Sequence, residues 1–425
     1  MINIEFAHVR LVTAWLFSAV LLIPAQAQVK PPPLSLRQLL DAASVSYPTL
    51  LAARIEARAS EQDVQAAERL RWPTVTATVE SSTGNDRSTP SRALQIDQTL
   101  WDAGRNTARI SESEVLAAIS QLKVQLQQQD LFVQVVSAWQ NLVASSERAQ
   151  AAQITMERLQ GFQTQMRNRV LAEASASIEL ELVEARLLQT QVELTSAKST
   201  LQVATTRLEQ LTGELQLATR VPHAVYPLTL GETATFHAQL SDIDWQQVAK
   251  EHAVAAKARL EVVQMHRRLD AKRAESYPQL FLRVYKPLGT IPTSSDTSAT
   301  AFLGLRYTPG AGFANVLEEQ AIATRVAGSE QNVEAAIREM QQTFQNDREE
   351  FVNARARIAA LEKAVAGSGL VLDSYQRQFK AGRKQWQDLL NQVRELAQNQ
   401  YALADAQASM VGAMHRLQIR MGRAP

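Results

Sequence analysis

Five leucines at seven-residue spacing, Leu180, Leu187, Leu194, Leu201 and Leu208, return in the second half of the chain as Leu389, Leu396, Leu403, Met410 and Leu417. A strict heptad sustained over that length demands a long helix wound against a neighbour, because only a left-handed supercoil keeps a seven-residue seam on one face. Val183, Ala197, Ala204 and Leu211 add a second apolar line to the first ladder. The register holds without a gap in both ladders, so the chain reads as a tandem duplication, and what surrounds one ladder should surround the other.

The surroundings do repeat. Each ladder follows a break, Ala172 to Ser175 in the first half and Lys380-Ala381-Gly382-Arg383 in the second. Before each break lies a run without proline that only helix suits; Arg105 to Val170 alone would span roughly 100 Å as one helix. Each half therefore predicts a long αα-hairpin. The runs start at the breakers Asp102-Ala103-Gly104 and Pro309-Gly310-Ala311-Gly312. Ahead of these the period changes to two, in Val75-Thr76-Ala77-Thr78-Val79 with Leu94 to Leu100, and in Leu280 to Tyr285 with Phe302 to Tyr307, which predicts one strand hairpin per half. Ahead of the strands stand Ala-rich helical stretches. They open at the capping-type sequences Ser35-Leu36-Arg37-Gln38 and Ser241-Asp242-Ile243-Asp244, and they close at Trp72-Pro73 and Tyr277-Pro278.

The expected division is a first-repeat helix at 28–72, a β-hairpin at 73–101, a helical hairpin at 102–212, a linker at 213–240, a second-repeat helix at 241–277, a β-hairpin at 278–308 and a helical hairpin at 309–422. Residues 1–27 read as a signal peptide, with Arg10, an apolar run from Leu11 to Ile23 and a cleavage site at Ala25-Gln26-Ala27. No later apolar run approaches the 20 or so residues of a spanning helix, so any return to a membrane must be by strands.

Composition excludes several functions. With 44 basic and 43 acidic residues the chain has no footprint for nucleic acid, and without cysteine it has neither disulfides nor a lipidated N-terminus. The histidines show no metal-ligand spacing, and there is no phosphate loop or nucleophile motif, so neither enzyme activity nor a cofactor is expected. Glu349-Glu350 reads as a solvated pair on a polar helix.

Four strands cannot close in lipid, where every unpaired backbone group costs several kcal/mol, so the edges must join other copies of the chain. Two copies would make a filled eight-stranded barrel; three make twelve strands and an open lumen. Thr76, Thr78, Gln95, Asp97 and Thr99 suit a wet interior, and Trp72, Trp101, Tyr277 and Tyr307 sit where an interfacial aromatic belt would lie, or else pack the strand-helix junction. The expected fold is mainly α with a small β part: helical coiled-coil hairpins plus four transmembrane strands, closing as a trimeric twelve-stranded barrel continued by a helical barrel. A soluble periplasmic coiled-coil scaffold or adaptor is the alternative of a different class.

The order of these elements, with Leu100-Trp101-Asp102-Ala103-Gly104 at the strand-to-helix turn and the tip run from Phe379 to Asn391, resembles the TolC-like outer membrane efflux protein family across essentially the whole mature chain. The resemblance implies a homotrimer in outer membrane lipid, docked through a periplasmic adaptor to an inner membrane transporter. It also implies a gate at the hairpin tips. Asp388 matches an acidic ring position and Lys384 the basic one, Glu179 is the first-tip counterpart of Asp388, Phe379 matches Val170, and Asn391 stands where a second acid can occur. Ala172, Glu173, Ala174, Ala381, Gly382 and Arg383 are the implied adaptor contacts, with Glu173 in place of a tip glycine. Within the family, the run from Gly382 to Asn391 and the missing cysteine, with Pro309-Gly310-Ala311-Gly312, resemble type I secretion ducts for large adhesins, with multidrug efflux as the alternative.

Overall fold

The computed structural model describes residues 35–81, 90–215, 217, 230–288 and 298–423; the expected signal peptide and part of the expected linker lie outside them. The first half builds α1 (Leu36–Ser46), α2 (Pro48–Glu68), β1 (Thr74–Ser81), β2 (Pro90–Trp101), α3 (Arg105–Leu171) and α4 (Ser177–Thr212). After α5 (Leu230–Leu240) the second half builds α6 (Trp245–Glu251), α7 (Ala253–Ala274), β3 (Gln279–Pro287), β4 (Thr300–Arg306), α8 (Ala314–Lys380) and α9 (Trp386–Arg420). The duplication is visible in length: α3 and α8 are both 67 residues long, about 100 Å each.

Two stretches expected as single helices are each split. Pro48 cannot continue the ladder of α1 for want of an N–H, and it starts α2 instead, where that N–H would be unpaired anyway. In the second half His252 makes the break, and its Nδ1 caps α7 by accepting from the Val254 N–H. Burial lowers the pKa of that imidazole to about 4, so it stays neutral and keeps the accepting nitrogen. The start expected at Ser241 lies at Asp244, whose carboxylate accepts from the N–H groups of Gln246 and Gln247 at 3.0 and 3.1 Å.

The strands form one antiparallel sheet in the order β1-β2-β3-β4, so the hairpins of the two halves join through β2 and β3 and leave β1 and β4 as edges. Cross-strand register separates the faces. Val75 opposes Ile96, Ile96 opposes Val284, Leu282 opposes Leu303 and Leu280 opposes Leu305, all on one apolar face. The other face carries Thr74, Thr76, Thr78, Gln95, Asp97, Thr99 and Arg283, so the five polar residues expected to share a face do so. An irregularity between Thr99 and Trp101 sets Trp101 opposite Leu280, on the apolar side.

The main core lies midway along the long helices, where Leu39 and Leu40 of α1, Leu131, Val135 and Leu142 of α3, Phe344 and Phe351 of α8, and Met414 and Leu417 of α9 are buried together. An ion network runs through it. Arg416 donates from Nε to Asp347 at 2.9 Å, from Nη2 to Glu350 at 2.7 Å and from Nη1 to Gln140 at 2.9 Å, while Arg420 reaches the other Asp347 oxygen at 3.0 Å. The Glu349-Glu350 pair is thus not solvated as a unit: Glu349 meets Arg348, whereas Glu350 is tied to the buried guanidinium.

Packing orders the long helices α4, α3, α9, α8. The flanking helices carry uncovered apolar side chains, Leu188, Val192 and Val203 on α4 and Leu317 and Leu370 on α8.

Where strands meet helices, Glu275 after α7 gathers Arg105 at 2.9 Å, Arg109 at 3.2 Å and Lys272 at 2.8 Å, and Lys272 also meets Glu318. Burial alone would raise the Glu275 pKa, but the Lys272 bond and the Arg105 charge outweigh it and hold the carboxyl below its ordinary 4.5. A depressed carboxylate contributes its stability above the unfolded value and loses it as pH falls through the folded one. Glu275→Gln should therefore destabilise the fold at neutral pH by roughly 1.5–3 kcal/mol, the contribution of a hydrogen bond to a charged group, and lower the unfolding temperature accordingly. The gap from wild type should narrow as the pH falls below the ordinary 4.5 and close once it has passed through the depressed folded value, as thermal scans across pH will show.

Candidate functional site

Both helical hairpins end in the same turn. Ala172 N–H bonds Asn168, Glu173 N–H bonds Val170 and Ala174 N–H bonds Arg169; at the second tip Ala381 bonds Arg377, Gly382 bonds Phe379 and Arg383 bonds Gln378. These are the crossed bonds of a helix end with a left-handed residue. Glu173 sits at φ 56° and Gly382 at φ 72°, so the glutamate adopts the glycine's conformation rather than altering the turn. An L side chain pays about 1 kcal/mol or more for it. Glu173→Gly should then protect the turn, slowing hydrogen exchange at the Ala174 amide about fivefold if 1 kcal/mol is recovered. All six turn residues, Ala172, Glu173, Ala174, Ala381, Gly382 and Arg383, are exposed and open to a partner.

Just inside the turns the two tips are joined by an aromatic cluster. Trp386, 1 % exposed, meets Phe162 edge-on at 5.4 Å and tilts against Phe379 at 4.8 Å, amid Met166, Leu372, Leu389 and Leu390. Phe379, a candidate gate residue by sequence, is therefore packing that holds α8 to α3 through Trp386 and does not line open space. Arg169 closes the cluster from above, 5.0 Å over the Phe379 ring, and also bonds Ser175. Sequence reasoning missed Phe162 and Arg169. Only the bulk of Trp386 in an otherwise polar turn pointed to a buried contact there.

Lys384 and Asp388 are brought together, Nζ to Oδ2 3.1 Å, one turn apart at the start of α9. The Asp388 bond raises the lysine pKa, and the ammonium lies 4.4 Å over the Tyr375 ring. The counterpart Glu179 occupies the first turn of α4, and Asn391 is exposed one turn beyond Asp388. At the opposite end of the long helices, Trp72, Trp101, Tyr277 and Tyr307 are each between 51 and 64 % exposed, although they frame a strand-helix junction that could have buried them.

The sequence profile described as "Outer membrane efflux protein" matches residues 39–214. No curated protein matches the chain at a significant level. Among solved structures the channel CusC superposes with a TM-score of 0.78 at 15 % identity, covering 92 % of each chain. The outer membrane protein VceC from Vibrio cholerae gives 0.74 at 15 %, covering 92 % of this chain and 96 % of that one. The open state of the Neisseria gonorrhoeae outer membrane channel MtrE gives 0.71 at 15 %, covering 91 % and 89 %. At such identity these likenesses establish the fold.

Proposed function

We propose, from the premise that this chain is a TolC-like member of the outer membrane efflux protein family, that three copies of it close into a duct carrying cargo across the outer membrane. The observation that carries this reading is the four-stranded sheet with an apolar face, a polar face and two open edges, set at the end of paired 67-residue helices. An exposed sheet edge is stable in lipid only when another strand pairs with it. Pairing β1 of one copy with β4 of the next closes twelve strands with the polar face inward. The same rotation covers the apolar flanks of α4 and α8 against each other. Trp72, Trp101, Tyr277 and Tyr307 then form the belt at the periplasmic membrane surface.

The hairpin tips would face the periplasm, with their exposed turns docking a periplasmic adaptor beneath which an inner membrane transporter loads the duct. The run from Gly382 to Asn391 favours type I secretion of a large adhesin over small-molecule efflux. Deleting the gene tests this: loss of surface adhesin with unchanged drug sensitivity supports it, and the reverse phenotype selects efflux.

At the tip, three Asp388 carboxylates around the axis would make the gate's acidic ring. Each is already paired with its own Lys384, so the ring's field is largely cancelled and the wild-type tip should be only weakly cation-selective. Asp388→Asn leaves three unpaired ammonium groups there. The potassium-to-chloride permeability ratio in planar bilayers should fall severalfold, and an unchanged ratio would remove Asp388 from the gate.

A further inference from the structure

We propose that Arg306, held over Phe281 at the helix-facing end of the sheet, is an anion-recognition site in the barrel bore. This site rests on the three-copy duct reading, and it would bind the carboxylate or phosphate groups of solutes and cargo passing from tunnel to barrel.

The polar face of the sheet carries three charged side chains in this region: Asp97 on β2, Arg283 on β3 and Arg306 on β4. Two of them neutralise each other. Arg283 makes a forked contact with Asp97, Nε to Oδ1 2.6 Å and Nη2 to Oδ2 3.2 Å, and Gln95 binds the same carboxylate. Arg306 has no ion-pair partner among the described residues, and it is exposed.

Its position is nonetheless fixed. Both guanidinium groups rest against the Phe281 ring, that of Arg283 5.2 Å and that of Arg306 4.8 Å from its centre. The ring has room to lie there because its cross-strand neighbour is Gly304, where a Cβ would come within 2.6 Å of the ring's Cζ. A cation resting on an aromatic face keeps its edge donors free, and the planar fork suits a carboxylate or phosphate. Gln279 stands opposite Arg306, and its amide bonds Thr99, so the row around the guanidinium is polar but uncharged.

The cluster just beyond, on the helix side, does not supply the missing counter-charge. Glu275 is already surrounded by Arg105, Arg109 and Lys272, Glu318 is taken by Lys272, and Asp102, which lines the same hollow as Arg306, turns its carboxylate to the N–H groups of Gly104 and Asn106. At the helix-facing end of the bore each copy thus sets one cation without an ion-pair partner, Glu80 of the same face lying at the other end of β1, and three copies set these cations in a ring. Charges of one sign in a narrow aqueous passage with low-dielectric walls reinforce one another. The ring lies at the far end of the duct from Asp388, so anions entering from the barrel side meet it first.

The test uses the full-length protein in planar bilayers with inorganic triphosphate as the probe, added on the barrel side or the tip side in turn. Wild type should show concentration-dependent block from the barrel side that weakens as salt rises. Arg306→Gln should need about tenfold more triphosphate for the same block, the effect of one lost charge-assisted contact. Phe281→Leu keeps the charge but removes its platform, and should shift the block by a smaller factor in the same direction. Equal block of wild type and Arg306→Gln, with both variants running as trimers, would overturn the site. Failure of the wild-type protein itself to form channels would strike the duct reading beneath it instead.

Discussion

Asp347→Ala should destabilise the protein by about 3–5 kcal/mol, the penalty for leaving a buried charge without its partner. Asp347 is the anion that Arg416 and Arg420 share, and both it and Arg416 are nearly sealed from water in the main core. Removing it leaves two guanidinium groups facing each other, with only Glu350 and Gln140 to help. The double variant Asp347→Leu/Arg416→Met, which removes anion and cation together, should lose much less, because the penalty lies in the orphaned charge more than in the lost attraction. Urea unfolding in detergent, followed by tryptophan fluorescence, compares the two. A double variant as damaged as the single one would show that the network's geometry, rather than its charge balance, holds α8 to α9.

Trp386→Ala should have an effect of similar size, about 3–5 kcal/mol for a fully buried tryptophan, but confined to the tips. Trp386 is the contact through which the second hairpin reaches Phe162 of the first, so its loss uncouples α9 from α3 over the last turns. Hydrogen exchange should accelerate around both turns and stay unchanged near Asp347, some distance along the same helices. Uniform acceleration along α8 and α9 would mean the tips do not open as a separate unit. Single-channel records of the variant should show longer openings if tip coupling restrains the gate.

Much of this architecture was legible because periodicity reports it directly. The heptads gave α4 and α9, the proline-free runs gave α3 and α8, and alternation placed all four strands and sorted Thr76, Thr78, Gln95, Asp97 and Thr99 onto one face. Less legible were features set by a single residue's chemistry. Pro48 splits the first helical stretch by losing one N–H, and His252 splits the second by using a ring nitrogen as a cap. Neither changes the period on either side, so no periodic signal marks them.

Contacts between distant residues were not legible at all. Nothing in the spacing of Asp347, Glu350, Arg416 and Gln140 announces that three helices bring them together, and Glu350 reads as surface until Arg416 is placed. Phe379 was singled out only by its match to the tip motif, and its contact with Trp386, like the network, joins residues whose spacing does not announce it. The Lys384 and Asp388 pair was legible from its four-residue separation, although Lys384 lies in the turn just before α9 and only Asp388 is on the helix.

Closure of three sheets into one barrel is tested most directly by disulfide trapping, which the absence of native cysteine makes clean. Val75→Cys on the edge strand β1 can be paired in turn with Ala301→Cys and Leu303→Cys on the other edge, β4. Within one chain these edges are separated by two strands, so a bond between them must join different copies, with Cβ atoms about 4 Å apart. Oxidised outer membranes should then yield covalent dimers and trimers on non-reducing gels and nothing larger, because a closed ring has no free edge left. Monomers alone for every pair, with the protein recovered from the soluble periplasm, would contradict the duct.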